Sequence, residues 1–171
     1  MRIVAGRWAG RALVSPGGRV RPTGEELRMA LMALIERDLD GADVLDLFAG
    51  TGAVGLEALS RGAARCDFVE NGAAAIHSLK ANVASLRVKA RTRIFLRDAI
   101  PFMERIDRQA WDIAFADPPY GSRKLDRVIA RWAEVPFSRI LAFEHAADLD
   151  PPVRGRSRRV GDSMVTVLRR P

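Results

Sequence analysis

Apolar and polar positions divide the chain into a short irregular start and a long alternation of two periods. Residues 2–22 set the apolar pairs Ile3-Val4 and Leu13-Val14 among Gly and Arg, with Pro16-Gly17-Gly18 as a turn. That composition predicts short strands, arranged as a β-hairpin extension. From Thr23 the pattern changes. Leu27, Ala30, Leu31, Leu34 and Ile35 recur on one helix face, and Thr23 with Glu26 matches a capping box, which predicts a helix ending near Asp40-Gly41. Beyond it, strand-like runs at Val44–Phe48, Cys66–Val69, Thr92–Leu96, Ile113–Ala116, Ile140–Phe143 and Met164–Leu168 alternate with helical periods at about 53–61, 72–86, 99–107 and 122–134. Strands separated by helices of this length predict an α/β fold with a doubly wound, mostly parallel sheet. Two strand-like runs around Gly161-Asp162 have no helix between them, so an antiparallel hairpin is expected at one sheet edge. The expected division is a basic extension over 1–22 and a Rossmann-like domain over 23–171.

Length and composition then narrow the class. A chain of 171 residues is the size of one domain and can bury a sizeable core. Its single cysteine, Cys66, allows no internal disulfide, and its apolar neighbours suit a buried structural role. No apolar run reaches the roughly 20 residues of a membrane span, and no signal-peptide core follows the first charges, so a cytoplasmic protein is expected. Charge adds a partner. The net charge is +7, Arg2, Arg7, Arg11, Arg19 and Arg21 all precede the first acid, Glu25, and a second basic stretch holds Arg154, Arg156, Arg158 and Arg159. Clustered arginines are the footprint of a phosphate-rich partner.

Ligands of doubly wound sheets bind outside the carboxyl ends of the strands. The first strand runs into Asp46-Leu-Phe-Ala-Gly-Thr-Gly-Ala-Val-Gly55. Its glycines alone would equally suit a nicotinamide or flavin nucleotide. Asp46 argues against that, because a carboxylate there opposes a pyrophosphate but can accept a water-mediated hydrogen bond from an ammonium-bearing ligand. S-adenosylmethionine carries no phosphate. The run from Asp46 through Glu57 resembles the first motif of class I methyltransferases, which makes Asp46, Phe48, Gly50 and Gly52 cofactor-facing candidates. Glu70, at the second strand end, is placed to hold the two hydroxyls of a ribose. Asp98 ends the third strand; it suits a helix N-cap and, by the same resemblance, an acceptor for the adenine amine beside the Ala99 backbone, and the two roles are compatible.

After the fourth strand stands Asp117-Pro118-Pro119-Tyr120. A base amine is a poor nucleophile because its lone pair is delocalised into the ring. A carboxylate at Asp117 and the Pro118 carbonyl can accept the two amine hydrogens, paired prolines stiffen the backbone, and Tyr120 offers a stacking face for a flipped base. Asp117, Pro118 and Tyr120 are therefore the catalytic candidates. His77 and His145 are isolated, and no metal-ligand cluster is expected.

The segments Arg2–Arg11, Arg21-Pro-Thr23, Asp46–Gly52, Gly55–Gly62 and Asp117–Tyr120 together resemble the RsmD family, bacterial 16S ribosomal RNA guanine-N2 methyltransferases, nearly end to end. The resemblance implies the class I fold, S-adenosylmethionine as cofactor, and 16S rRNA in the 30S subunit or its assembly intermediate as partner, with methylation at the guanine conventionally numbered 966. It marks Arg2, Arg7, Arg11, Arg19, Arg21 and Thr23 as RNA-facing candidates of a monomeric enzyme. The family pattern is departed from at Met29–Ala33 and Val160. The same Asp-Pro-Pro-Tyr geometry also serves adenine-N6 or cytosine-N4 methylation, and a noncatalytic RNA-binding assembly factor would carry the same basic surface.

Overall fold

The computed structural model describes residues 1–16, 22–119, 122–149 and 153–170. Its helices are α1 (Pro22–Ile35), α2 (Ala53–Ser60), α3 (Ala73–Ser85), α4 (Ala99–Glu104) and α5 (Lys124–Glu134). The strands are β1 (Asp43–Leu47), β2 (Arg65–Glu70), β3 (Thr92–Leu96), β4 (Trp111–Ala116), β5 (Ser138–Ala146), β6 (Arg156–Val160) and β7 (Ser163–Arg169). They form one sheet in the order β3-β2-β1-β4-β5-β7-β6. Neighbours among β1 to β5 run parallel, and β7 lies antiparallel between β5 and β6. The expected doubly wound sheet and edge hairpin are both present.

Helices cover both faces, so the central strands read as nearly continuous apolar runs. Successive residues of β1 serve opposite layers. Val44 belongs to the layer that holds Leu56, Leu79 and the α1 residues Leu31 and Ile35, whereas Leu45 and Leu47 belong to the layer of Ile100, Val128 and Ile129 from α4 and α5. Cys66 and Phe68 are fully buried in the first layer. The basic stretch at 156–160 is the edge strand β6, almost wholly exposed. Charge on an edge discourages pairing with another chain.

Two boundaries differ from expectation. Helix α1 begins at Pro22, so Thr23 lies inside the helix and cannot be its N-cap; proline, with fixed φ and no N–H to leave unpaired, suits the first helical position better. The helix also stops at Ile35, where a 3₁₀ turn at Glu36–Asp38 takes over.

Residues 1–16 form a sparse hairpin, with one antiparallel bridge between Arg2 and Ala12 and a 3₁₀ turn at Gly6–Trp8. Its apolar residues Ile3 and Leu13 are buried in the main core. Gly6 has φ +81, and a Cβ there would sit 2.0 Å from the Ser60 carbonyl oxygen, so only glycine lets the turn rest on the end of α2. The clasp is Glu57, fully buried on α2. Its carboxylate accepts from the backbone N–H groups of Val4 (2.8 Å) and Ala5 (2.9 Å) and from Nε of Arg61 (2.8 Å) and Arg28 (3.4 Å). Arg28, itself buried, also donates to the Arg2 carbonyl at 2.6 Å.

Candidate active site

Strand order reverses between β1 and β4, and the crevice at such a switch point is where doubly wound sheets bind ligands. A cleft of about 230 Å³ opens there, lined among others by Asp46, Phe48, Gly50, Asp117 and Glu144. The glycine turn forms its floor. Ala49 N–H donates to the Val69 carbonyl at 3.1 Å and Gly52 N–H to the Ala49 carbonyl at 2.7 Å. Gly52 then opens α2 at φ +78, where a Cβ would meet Leu79 Cδ1 at 2.3 Å, so the helix can seat on β2 and α3 only with glycine in place. Asp46 Oδ2 accepts from Gly55 N–H at 2.9 Å, which ties the first turn of α2 to the strand end.

Three carboxylates share this crevice. Burial and the nearby charges of Asp117 and Glu70 raise Asp46 to about 7, against the lowering effect of its bond from Gly55. Asp117 is also pushed up to about 7, first by the surrounding protein and then by the Glu144 charge. Its side of the crevice is nevertheless open to solvent, so water there offsets part of the penalty. Arg28 reaches the same cleft from α1; burial lowers its pKa, and Glu57 opposes that shift.

Glu70, Asp98 and Ala99 stand outside the cleft wall, at the neighbouring ends of β2 and β3. Glu70 Oε2 accepts from Gly50 N–H at 2.8 Å, and Oε1 from the backbone of Asn71 (2.9 Å) and Gly72 (2.6 Å). It therefore braces the glycine turn while one of its four lone-pair sites stays open to a further donor. Asp98 caps α4 through Ile100 N–H at 2.9 Å and accepts from Asn71 Nδ2 at 3.3 Å. The capping reading of Asp98 thus holds, and Asn71 joins the two acidic strand ends.

On the other side of the Asp117-Pro118 bond lies a second cleft of about 360 Å³, lined by Pro118, Pro119, Arg123, Glu144 and His145 among others. Glu144 borders both cavities. Ser122 closes the loop, its hydroxyl donating to the Pro119 carbonyl at 2.6 Å. Tyr120 lies outside the described residues. Among those residues no cluster of metal-ligating side chains is found, and no helix is long and apolar enough to cross a membrane.

A family model described as Conserved hypothetical protein 95 matches residues 1–146. Ribosomal RNA small subunit methyltransferase D of Haemophilus influenzae is 31% identical over 137 residues, covering 78% of this chain and 71% of the relative. The chain belongs to the RsmD family. The Escherichia coli (strain K12) protein of the same name is 36% identical over 132 residues, 75% of this chain and 65% of that protein. Among solved structures, yhhF from Escherichia coli superposes with a TM-score of 0.86 at 29% identity, over 99% of this chain and 97% of that one. The fold is that of S-adenosylmethionine-dependent methyltransferases.

Of the RNA-facing candidates of this RsmD-family chain, Arg2 pairs with Glu25 at 3.3 Å, and Arg7 and Arg11 are exposed. Arg19 and Arg21 fall outside the described residues, as does the side chain of Thr23. Sequence reasoning overlooked Arg28, Glu57 and Glu144 as site-forming residues. Arg28 carried a signal, since it sits one residue from Leu27 and three from Leu31 on the apolar side of α1. Glu144 follows the apolar run Ile140–Phe143 inside β5, and asking which polar residue closes that run would have found it.

Proposed function

We propose that the chain transfers a methyl group from S-adenosylmethionine to the exocyclic N2 amine of a guanine in 16S rRNA of the 30S particle, acting as a cytoplasmic monomer. The observation that carries this reading is the pair of adjoining clefts divided by Asp117-Pro118 and sharing Glu144. One cleft suits the methyl donor, the other a base.

The residues fit this cofactor. A crevice with Asp46, Asp117 and Glu144 in or at its wall and Glu70 beneath its glycine turn repels phosphate and attracts a cationic ligand. When bound, S-adenosylmethionine supplies an electrophilic methyl on a positively charged sulfur. Asp46 would accept a water-mediated hydrogen bond from its ammonium group, Glu70 would accept one ribose hydroxyl at its open site, and Asp98 would accept the adenine amine. Asp117 and the Pro118 carbonyl accept the two amine hydrogens, which localises the nitrogen lone pair and directs it at the methyl. As the amine gains positive charge, the Asp117 carboxylate stabilises it and takes the released proton, or passes it to water. A carboxyl raised toward 7 is matched to that proton transfer near neutral pH. Tyr120 stacks the base, and the basic extension with Arg2, Arg7, Arg11, Arg19 and Arg21 docks the RNA.

The relatives named as small subunit rRNA methyltransferases support the substrate class. Thermus thermophilus RsmC, named as a 16S rRNA N2 G1207 methyltransferase and solved with AdoMet and guanosine, shares the fold at 20% identity and a TM-score of 0.68, over 91% of this chain and 44% of that one. Replacing Asp117 by Asn separates chemistry from binding. Cofactor affinity should stay within a few fold while turnover falls by about two to four orders of magnitude. Turnover near wild type would refute the assigned role.

A further inference from the structure

Beside the end of α2 that faces away from the methyl-transfer cleft, the N-terminal turn and the α3–β3 connection enclose a concave basic site of about 480 Å³. Arg7 and Arg91 both place their guanidinium carbon over the Trp8 ring, at 5.7 and 5.4 Å from its centroid. Trp8 is fixed in turn, its backbone N–H donating to Ser60 Oγ at 3.0 Å. Arg11 donates to the Ser85 carbonyl at 3.3 Å, and Arg91 to the Ala63 carbonyl at 3.4 Å. The site thus holds Arg7, Arg11, Arg87 and Arg91 with only an indole and neutral carbonyls as partners. None of the four is ion-paired among the described residues, and no acid lines the site.

Arg87 adds an independent observation. It follows the C-cap of α3 at φ +57, the left-handed conformation in which helices commonly end on glycine. An arginine held there accepts backbone strain to keep a guanidinium at the rim, and such outliers concentrate at functional positions. Four cations gathered around one concavity repel one another until an anion enters. Guanidiniums stacked on an indole also keep their N–H edges free for phosphate oxygens.

We infer that Trp8, Arg7, Arg11, Arg87 and Arg91 form a phosphate-binding cup that grips the rRNA backbone at a point remote from the base being methylated. This rests on the RNA-methyltransferase reading above. The cup and the cleft share no lining residue, and the N-terminal segment links them, with Met1 in the cleft wall and Trp8 in the cup. Helix α2, eight residues and so about 12 Å long, spans the distance between their levels. Two anchor points at levels about 12 Å apart would orient a strand whose target base is splayed into the cleft.

The test uses 30S particles assembled on unmodified 16S transcript, and the protein-free transcript alone, with the full chain and two variants. In R87Q/R91Q, binding to both probes should weaken, and the log-log salt slope should flatten by roughly 0.7 to 0.9 per arginine lost. Cofactor affinity and kcat at saturating particle should stay at wild-type values while KM rises. The variant R87G restores the residue the backbone prefers, so its melting temperature should hold or rise while its RNA affinity still falls. A purely structural arginine would give the reverse. Unchanged affinity and slope in R87Q/R91Q would overturn the cup, and so would weakening confined to the particle, which would make a ribosomal protein the occupant. Because these are binding curves, they judge the cup even if the wild-type chain transfers no methyl group, which would refute the proposed activity instead.

Discussion

Replacing Glu57 by Gln probes how the N-terminal extension is held to the catalytic domain. The wild-type carboxylate serves four donors: the Val4 and Ala5 amides, Arg61 Nε and Arg28 Nε. Glutamine keeps the volume but removes the charge and turns one acceptor oxygen into an NH₂ that confronts donors. Buried Arg28 then lacks its counter-ion, and removing one partner of a buried pair costs about 3 to 5 kcal/mol. An orphaned backbone amide would cost about 1 to 3 kcal/mol separately, but the donors share one acceptor group and are not additive. For a domain of this size, about 3 to 5 kcal/mol corresponds to a melting temperature lower by about 6 to 20 °C. Urea denaturation measures the free energy, and hydrogen exchange at Val4 and Ala5 reports whether the clasp opens. Met1 and Arg28 line the cleft, so cofactor affinity should fall as well. A loss below about 1 kcal/mol with unchanged protection at both amides would refute the clasp.

The remaining predictions concern the cofactor side. Glu70→Ala removes both the open carboxylate site and the brace on Gly50, so cofactor affinity should drop while RNA affinity holds; unchanged affinity in calorimetry would move the ribose contact elsewhere. The pH dependence follows from Asp46 and Asp117, both raised from 3.8 to about 7. Between those values the folded, ligand-free protein keeps protons that the unfolded chain has released. Its stability should therefore fall as pH rises from about 4 to about 7, by at most about 1.4 kcal/mol per pH unit per group, and by less for the more accessible Asp117. Binding of a cationic ligand favours ionised Asp46, so cofactor affinity should instead rise with pH and level off above about 7. Asp46→Asn should flatten that rise, and a pH-independent affinity in the wild-type chain would remove Asp46 from the ligand's surroundings.

The alternation of strand-like runs with helical periods made the parallel sheet legible, because strands buried on both faces must be apolar throughout. The carboxylates Asp46, Glu70, Asp98 and Asp117 stood out because each lies at or beside the end of an apolar run, but their bonds did not: Asp46 ties Gly55, Glu70 braces Gly50 and Asp98 caps α4. What escaped were interactions between segments distant in sequence. Nothing local to Glu57 says that it receives the amides of Val4 and Ala5, more than 50 residues away, or that Ile3 and Leu13 pack into the core. The extension read as an appendage because its apolar residues come in pairs too short to imply a buried face. Thr23 and Glu26 matched a capping box, yet the proline between Arg21 and Thr23 opens the helix two residues earlier than that box implies. The cup around Trp8 was half visible, since Arg7 and Arg11 stood out by charge, whereas Arg87 and Arg91 join them only through the packing of α3 beside the N-terminal turn.

Methyl transfer to a guanine amine of small-subunit RNA leaves a product that can be read chemically. Incubating the chain with methyl-labelled S-adenosylmethionine and 30S particles carrying unmodified 16S rRNA, then digesting the RNA to nucleosides, identifies the product directly. Label is expected in N2-methylguanosine, one methyl per particle, and none with Asp117→Asn on the same time scale. Label in N6-methyladenosine or N4-methylcytidine would contradict the base assignment, and no label in a chain that binds both cofactor and particle would contradict catalysis itself.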